Sequence, residues 1–364
     1  MPEFIPGLDL SEALFKDAVQ PLLTNEQPNL AYSAARLDWG SDVLGYDTPM
    51  SMDHGWGPKL TLYLAPADYD ERHEALDKLF AHQLPFEVRG FPTHFAEPYA
   101  DGGVMVKKET HPIHHMVTIT TIQQFFQDYF GLDIDHPNST TDWLTLPQQK
   151  LRTLQSGRIF HDDLGLEDIR KQFTWYPDDL WRYLMAVQWQ RIDQDAPFVG
   201  RAGSVEDEFG SQLIAARLVR EIMRLGFLLS KVYPPYAKWF GTAFDDLYIS
   251  IPLKSILWDV LDSGSWHERE GYLSDAYALL MEYHANLKIP KKSFSDVPTF
   301  HNRPFRFPDG GRFVETLLSE VNDPEVKALP RHLGNVDQIS DNTDILEDPQ
   351  RCQAMIRTLY NESA

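Results

Sequence analysis

The spacing of apolar residues changes character once along this chain, near Thr140, and that change constrains the fold more than any other feature. Before it, helical and strand-like patterns alternate. Residues 11–24 place Leu14, Phe15, Val19, Leu22 and Leu23 at helical spacing, with Ser11 as the expected N-cap. Two strand-like runs follow, residues 30–37 and 59–64, the second alternating apolar and polar side chains. Helical spacing returns over residues 71–83 through Leu76, Leu79 and Phe80, and residues 86–95 and 116–121 read as further strands. This order predicts an α+β unit of about 130 residues, a mixed sheet with flanking helices.

Beyond Thr140 the segments are long and amphipathic. Asp142 is positioned to cap a helix running through Leu144 and Leu151, and Pro177-Asp178-Asp179 opens another that carries Leu184, Val187, Trp189 and Ile192. Residues 205–232 hold the most regular stripe, Leu213, Ile214, Leu218, Ile222, Leu225 and Leu229, wide enough for a bundle core. Consecutive prolines in Tyr233-Pro-Pro-Tyr end it. Shorter helical patterns cover residues 253–261, 272–287 and 311–321, and a Pro-, Lys-, Ser- and Phe-rich loop covers 288–308. The expected organisation is an N-terminal domain over 1–139, a helical substrate-binding domain over 140–287, and a loop and helical extension over 288–364.

Lys and Arg total 33 against 54 Asp and Glu, a formal charge of -21 that argues against a surface built to wrap a nucleic-acid backbone. A small neutral or cationic ligand or a protein partner suits such a surface better. Cys352 is the single cysteine, which excludes an intrachain disulfide and a Cys-rich zinc site. The N-terminus lacks the basic start and apolar core of a signal peptide, and the most apolar stretch, residues 213–232, carries Arg217, Arg220, Arg224 and Lys231. A cytoplasmic protein with no membrane span is expected.

Chemistry concentrates in residues 39–60. A Gly-Ser pair, Gly40 and Ser41, closes one apolar run, and Asp53 is read as opening the next, on the following strand. Phosphoryl and nucleotidyl transfer are catalysed mainly by positioning and charge neutralisation, so they need a phosphate cradle and hard oxygen ligands for Mg²⁺. Glycine lets the backbone approach a triphosphate, the Ser41 hydroxyl can donate to it, and a carboxylate such as Asp53 can hold the cation.

The arrangement from Gly40 to Asp53 resembles the signature of the nucleotidyltransferase superfamily typified by DNA polymerase beta and the aminoglycoside nucleotidyltransferases. The longer string, Gly-Ser-Asp-x-Leu-Gly-x-Asp followed by Ser-x-Asp-His-x-Trp-Gly-Pro-Lys, is similar to one bacterial and fungal branch catalogued as a domain of unknown function, with a nucleotidyltransferase-like N-terminal half and a helical C-terminal half. Residues 154–163, 176–201 and 233–244 also resemble that branch. The resemblance implies Gly40 and Ser41 as phosphate contacts and Asp53 as catalytic first metal ligand. Where the superfamily has a second acid, this chain has Gly55. Asp42 and Asp47 are the candidate replacements within the loop, and Glu87 the candidate third, catalytic carboxylate. Lys238, just after the helix break, is the candidate cation for the leaving pyrophosphate.

Other features carry plainer readings. His54 is expected in the core, Trp56-Gly57-Pro58 as a structural bulge, and His111, His114 and His115 as a surface cluster. Arg217, Arg220 and Arg224 share part of one helical face, expected to pair with Glu206, Asp207 and Glu221 or else to face nucleotide phosphates. The leading functional expectation is a Mg²⁺- (or Mn²⁺-) dependent nucleotidyltransferase, moving a nucleoside monophosphate from ATP or another NTP to a hydroxyl or amine of an unidentified small molecule or protein. The alternative is a catalytically silent nucleotide-binding or interaction protein on the same fold, which Gly55 recommends.

Overall fold

The computed structural model describes residues 2–96, 103–136 and 138–360. The chain divides into two compact units, one formed by residues 1–137 and 149–174, the other by residues 138–148 and 175–364.

The first unit is built on a mixed four-stranded sheet. Its strands are β1 (Tyr32–Arg36), β2 (Lys59–Leu64), β3 (Met116–Thr121) and β4 (Arg158–Asp162), in the spatial order β3-β2-β1-β4. β1 runs antiparallel to both β2 and β4, and β2 runs parallel to β3 with Leu62 opposite Ile119. Every residue of β1 and β2 is buried, as expected for central strands covered on both faces. Leu60, Leu62 and Leu64 join Leu10, Leu14, Phe15, Val19, Leu76 and Phe80 in one core. On the alternate positions of β2, Tyr63 meets Phe125 edge-on, from the helix Ile122–Phe130, at 5.5 Å between ring centroids. Thr121 caps that helix by accepting from the Gln124 N–H at 3.0 Å.

Three sequence expectations shift here. The opening helix starts at Gly7, ahead of Ser11, so Ser11 lies buried within it and is not its cap. Residues 86–95 form only two-residue strands, Glu87–Val88, Phe91–Pro92 and Phe95–Ala96, outside the main sheet. The strand at Arg158–Asp162 falls in a region expected to be helical, and it returns the chain after residue 149 to the first unit.

The second unit is helical. Asp178–Gly203 packs along Glu208–Leu229, with Gly311–Ser319 and Trp266–Leu287 against the first of these and Ser250–Asp262 against Trp266–Leu287 and Glu208–Leu229. Leu218, Ile222, Leu225 and Leu229 point into its core as the stripe predicts, whereas Leu213 is 58% exposed. Ser139, not Asp142, caps Thr140–Thr145; Asp142 reciprocates by accepting from the Ser139 N–H at 2.9 Å, the capping-box geometry. Among the described residues no helix is long and apolar enough to cross a membrane.

Candidate functional site

The loop between β1 and β2 is organised around two buried cations. Arg36, the last residue of β1, and Lys59, the first of β2, are 2% and 5% exposed. Arg36 Nε donates to Asp42 Oδ2 at 3.1 Å, its Nη2 donates to the Trp39 carbonyl at 2.6 Å, and it also pairs with Asp38. Burial pushes the Asp42 carboxyl up, but the charges of Arg36 and Lys59 outweigh it and hold the group below the usual carboxylate range. Lys59 donates to the Gly55 carbonyl, and its Nζ lies 4.4 Å from the centroid of the Trp39 ring. Burial, reinforced by Arg36 and opposed by Asp42, brings its ammonium down to about 7.

This packing explains the glycine of the Gly-Ser pair. Gly40 adopts φ 144° and ψ 148°, and a Cβ there would come within 1.9 Å of Asp42 Oδ1 and 2.9 Å of Arg36 Nη2. Ser41 begins the short helix Ser41–Leu44, which Gly45 ends in the left-handed conformation at φ 75°. The Ser41 side chain is half-buried and its hydroxyl makes no hydrogen bond.

The expected metal-binding acids are not brought together. Asp42 is spent on Arg36. Asp47 Oδ2 accepts from the Gly7 N–H at 2.7 Å and from Trp56 Nε1 at 2.8 Å, which ties the loop to the start of the helix Gly7–Leu14. Asp53 ends the 3₁₀ turn Pro49–Asp53, outside any strand, and is exposed. Its carboxylate accepts from the His54 N–H at 2.9 Å and lies 3.0 Å from His54 Nδ1, and these contacts, the backbone one first, lower its pKa. His54 is thus exposed beside Asp53, against the expectation of a core histidine. Glu87 is exposed in its two-residue strand, 3.8 Å from Lys107 Nζ.

Gly55, in the place of the second ligand, has φ 62°; its N–H donates to the Gly103 carbonyl at 2.9 Å while its own carbonyl receives Lys59. Backbone bonds therefore use the position where the superfamily pattern has a carboxylate. Among the described residues no group of three or more His, Cys, Asp and Glu side chains could hold a metal ion. The donor set present does not fit the expected Mg²⁺ site, which calls for one or two carboxylates directed at one point.

The remaining candidates lie elsewhere. Lys238 is exposed in the first turn of Ala237–Asp245, in the second unit, with Nζ 4.8 Å from the Trp239 ring. The arginines of Glu208–Leu229 are engaged within that unit, Arg224 beside the expected charge of Glu221 and the others with different acids. Arg217 pairs with Asp195 at 3.0 Å, Arg220 with Asp341 at 2.7 Å, and Arg224 donates to the Asp337 carbonyl at 3.0 Å. Trp56 is buried and a Cβ at Gly57, at φ 144°, would meet Phe95 and Met105, so the Trp-Gly-Pro segment packs against its surroundings, while the register shift given for the main sheet lies at Ala34/Ala35. His115 is buried near Asp77, in contrast to an exposed His111 and an exposed His114. Sequence reasoning missed Arg36 and Lys59. The signal was there, a cation at the end of one apolar run and at the start of the next.

Residues 143–240 match the family described as Domain of unknown function (DUF4037), in line with the resemblance to a family so catalogued. No curated protein matches the chain. A solved structure, a nucleotidyltransferase-like protein from Exiguobacterium sibiricum 255-15, is similar at 13% identity over 79% of this chain and 83% of that one, with a TM-score of 0.31.

Proposed function

We propose that this protein binds a nucleotide through its phosphates at the Gly40–Ser41 turn and does not turn it over. One observation carries the reading: each acid that would have to join Asp53 is engaged apart from it. Asp42 faces Arg36, Asp47 holds the Gly7 N–H and the Trp56 indole, and position 55 is a glycine bonded through its backbone. Freeing Asp42 would take a counter-charge from the buried Lys59 and leave the buried Arg36 with Asp38 alone, a cost of about 3–5 kcal/mol that metal binding would first have to meet. Support for a phosphate contact comes from the half-buried Ser41 hydroxyl, which makes no hydrogen bond within the protein.

The finer alternative is a Mg²⁺- or Mn²⁺-dependent nucleotidyltransferase acting from ATP or another NTP on a hydroxyl or amine. It requires Asp53 to be joined by Asp42, Asp47 or Glu87 and Lys238 to serve the leaving group. Titration calorimetry with a panel of NTPs, with and without Mg²⁺, separates the two when combined with a pyrophosphate-release assay. Metal-independent binding lost in Ser41→Ala, with no release, is the expected result. Pyrophosphate release that depends on both Ser41 and Asp53 would overturn the silent reading in favour of the enzyme.

A further inference from the structure

We propose that Trp39 is the stacking platform for the base of a purine nucleoside triphosphate whose phosphates meet the Gly40–Ser41 turn; this rests on the nucleotide-binding reading above. Trp39 is a large aromatic side chain left 46% exposed. It is nevertheless held from beneath. The buried Lys59 ammonium lies 4.4 Å from the ring centroid, and the Trp39 carbonyl accepts from the buried Arg36 guanidinium at 2.6 Å. Since Lys59 is itself shielded from water, the face it covers is the inner one, and the exposed surface belongs to the outer face.

A ring pinned in this way has already lost its rotamer freedom, so a flat ligand that stacks on it has little further ordering to bring about. Every nucleobase has a face that can stack, and purines cover the indole more fully than pyrimidines. The extended backbone at Gly40 sets Trp39 and Ser41 no more than about 7 Å apart. A nucleoside triphosphate can bridge that separation from its base to its phosphates.

The test uses the full chain and calorimetric titration with ATP, CTP and inorganic tripolyphosphate. The native protein is expected to bind ATP more tightly than CTP and tripolyphosphate. Trp39→Ala should weaken ATP binding about ten-fold or more, the loss of one base–aromatic stack, and leave tripolyphosphate binding unchanged. Trp39→Phe, which keeps an aromatic face, should retain most of the ATP affinity and serves if the alanine variant does not fold. Equal ATP affinity in native and variant chains, or tripolyphosphate bound as tightly as ATP by the native chain, overturns the platform while leaving a phosphate site intact. Parallel loss of both ligands in Trp39→Ala also overturns it, as a purely structural role would have that effect. Binding of neither ATP nor tripolyphosphate by the native chain removes the nucleotide-binding reading itself, and the platform with it.

Discussion

Lowering the pH should destabilise the helical unit through His284, and the size of the effect follows from its surroundings. His284 is buried; its Nε2 accepts from Trp189 Nε1 at 2.7 Å and its Nδ1 faces the Ile289 carbonyl at 2.6 Å. That pair of contacts suits one species, the neutral ring protonated on Nδ1. Burial, only partly offset by the Ile289 carbonyl, lowers its pKa from 6.5 to about 4. Because the folded value lies below the unfolded one, the contribution is complete above pH 6.5 and is lost as the pH falls towards 4. Linkage gives a loss of about 2 kcal/mol between pH 8 and pH 5, approaching about 3 kcal/mol at pH 4.

Other groups titrate over the same range, so the native chain alone is not diagnostic. Asp337, pushed up by burial to about 6 against the opposing pull of Arg224, acts with the opposite sign and favours the fold as the pH falls below 6. His284→Gln removes the titrating ring and keeps an oxygen that can accept from the Trp189 indole. Urea unfolding of both proteins at pH 8 and pH 5 gives two stability differences, and common terms such as Asp337 cancel in their comparison. The advantage of native over variant should shrink by about 2 kcal/mol at the lower pH. An advantage that stays constant between the two would refute the assignment of a neutral, desolvated imidazole to this site.

Two further outcomes test the loop between β1 and β2. Asp42→Ala leaves the Arg36 and Lys59 charges buried without their main partner, and should destabilise the first unit by about 3–5 kcal/mol in urea unfolding. Asp47→Ala removes the acceptor for both the Gly7 N–H and the Trp56 indole, with an expected loss of about 2–4 kcal/mol. In that variant amide exchange should quicken first across Gly7–Leu14, and unchanged protection there would contradict the role given to Asp47.

Much of the fold was legible in the sequence because local periodicity reports which face of an element is buried. Residues 59–64 and 116–121 read as strands and are strands, and the stripe from Leu218 to Leu229 reads as a bundle seam and is one. Periodicity fails where an element is short or its partner is remote. Arg158–Asp162 is only five residues long, and its identity as a strand depends on pairing with β1, more than a hundred residues earlier. Leu213 belongs to the stripe by spacing, yet it is left 58% exposed.

The same division runs through the candidate site. Residue types and spacing pointed to the Gly40–Ser41 turn, and the resemblance to the nucleotidyltransferase superfamily to the missing acid at Gly55, both matters of a short stretch of chain. How each carboxylate is employed was decided only in three dimensions. Asp42 and Asp53 are equivalent as isolated side chains, but one is drawn into the interior by Arg36 and the other remains in water beside His54. That choice depends on where two strand ends place Arg36 and Lys59, because a buried cation must find its counter-charge wherever the fold brings one within reach.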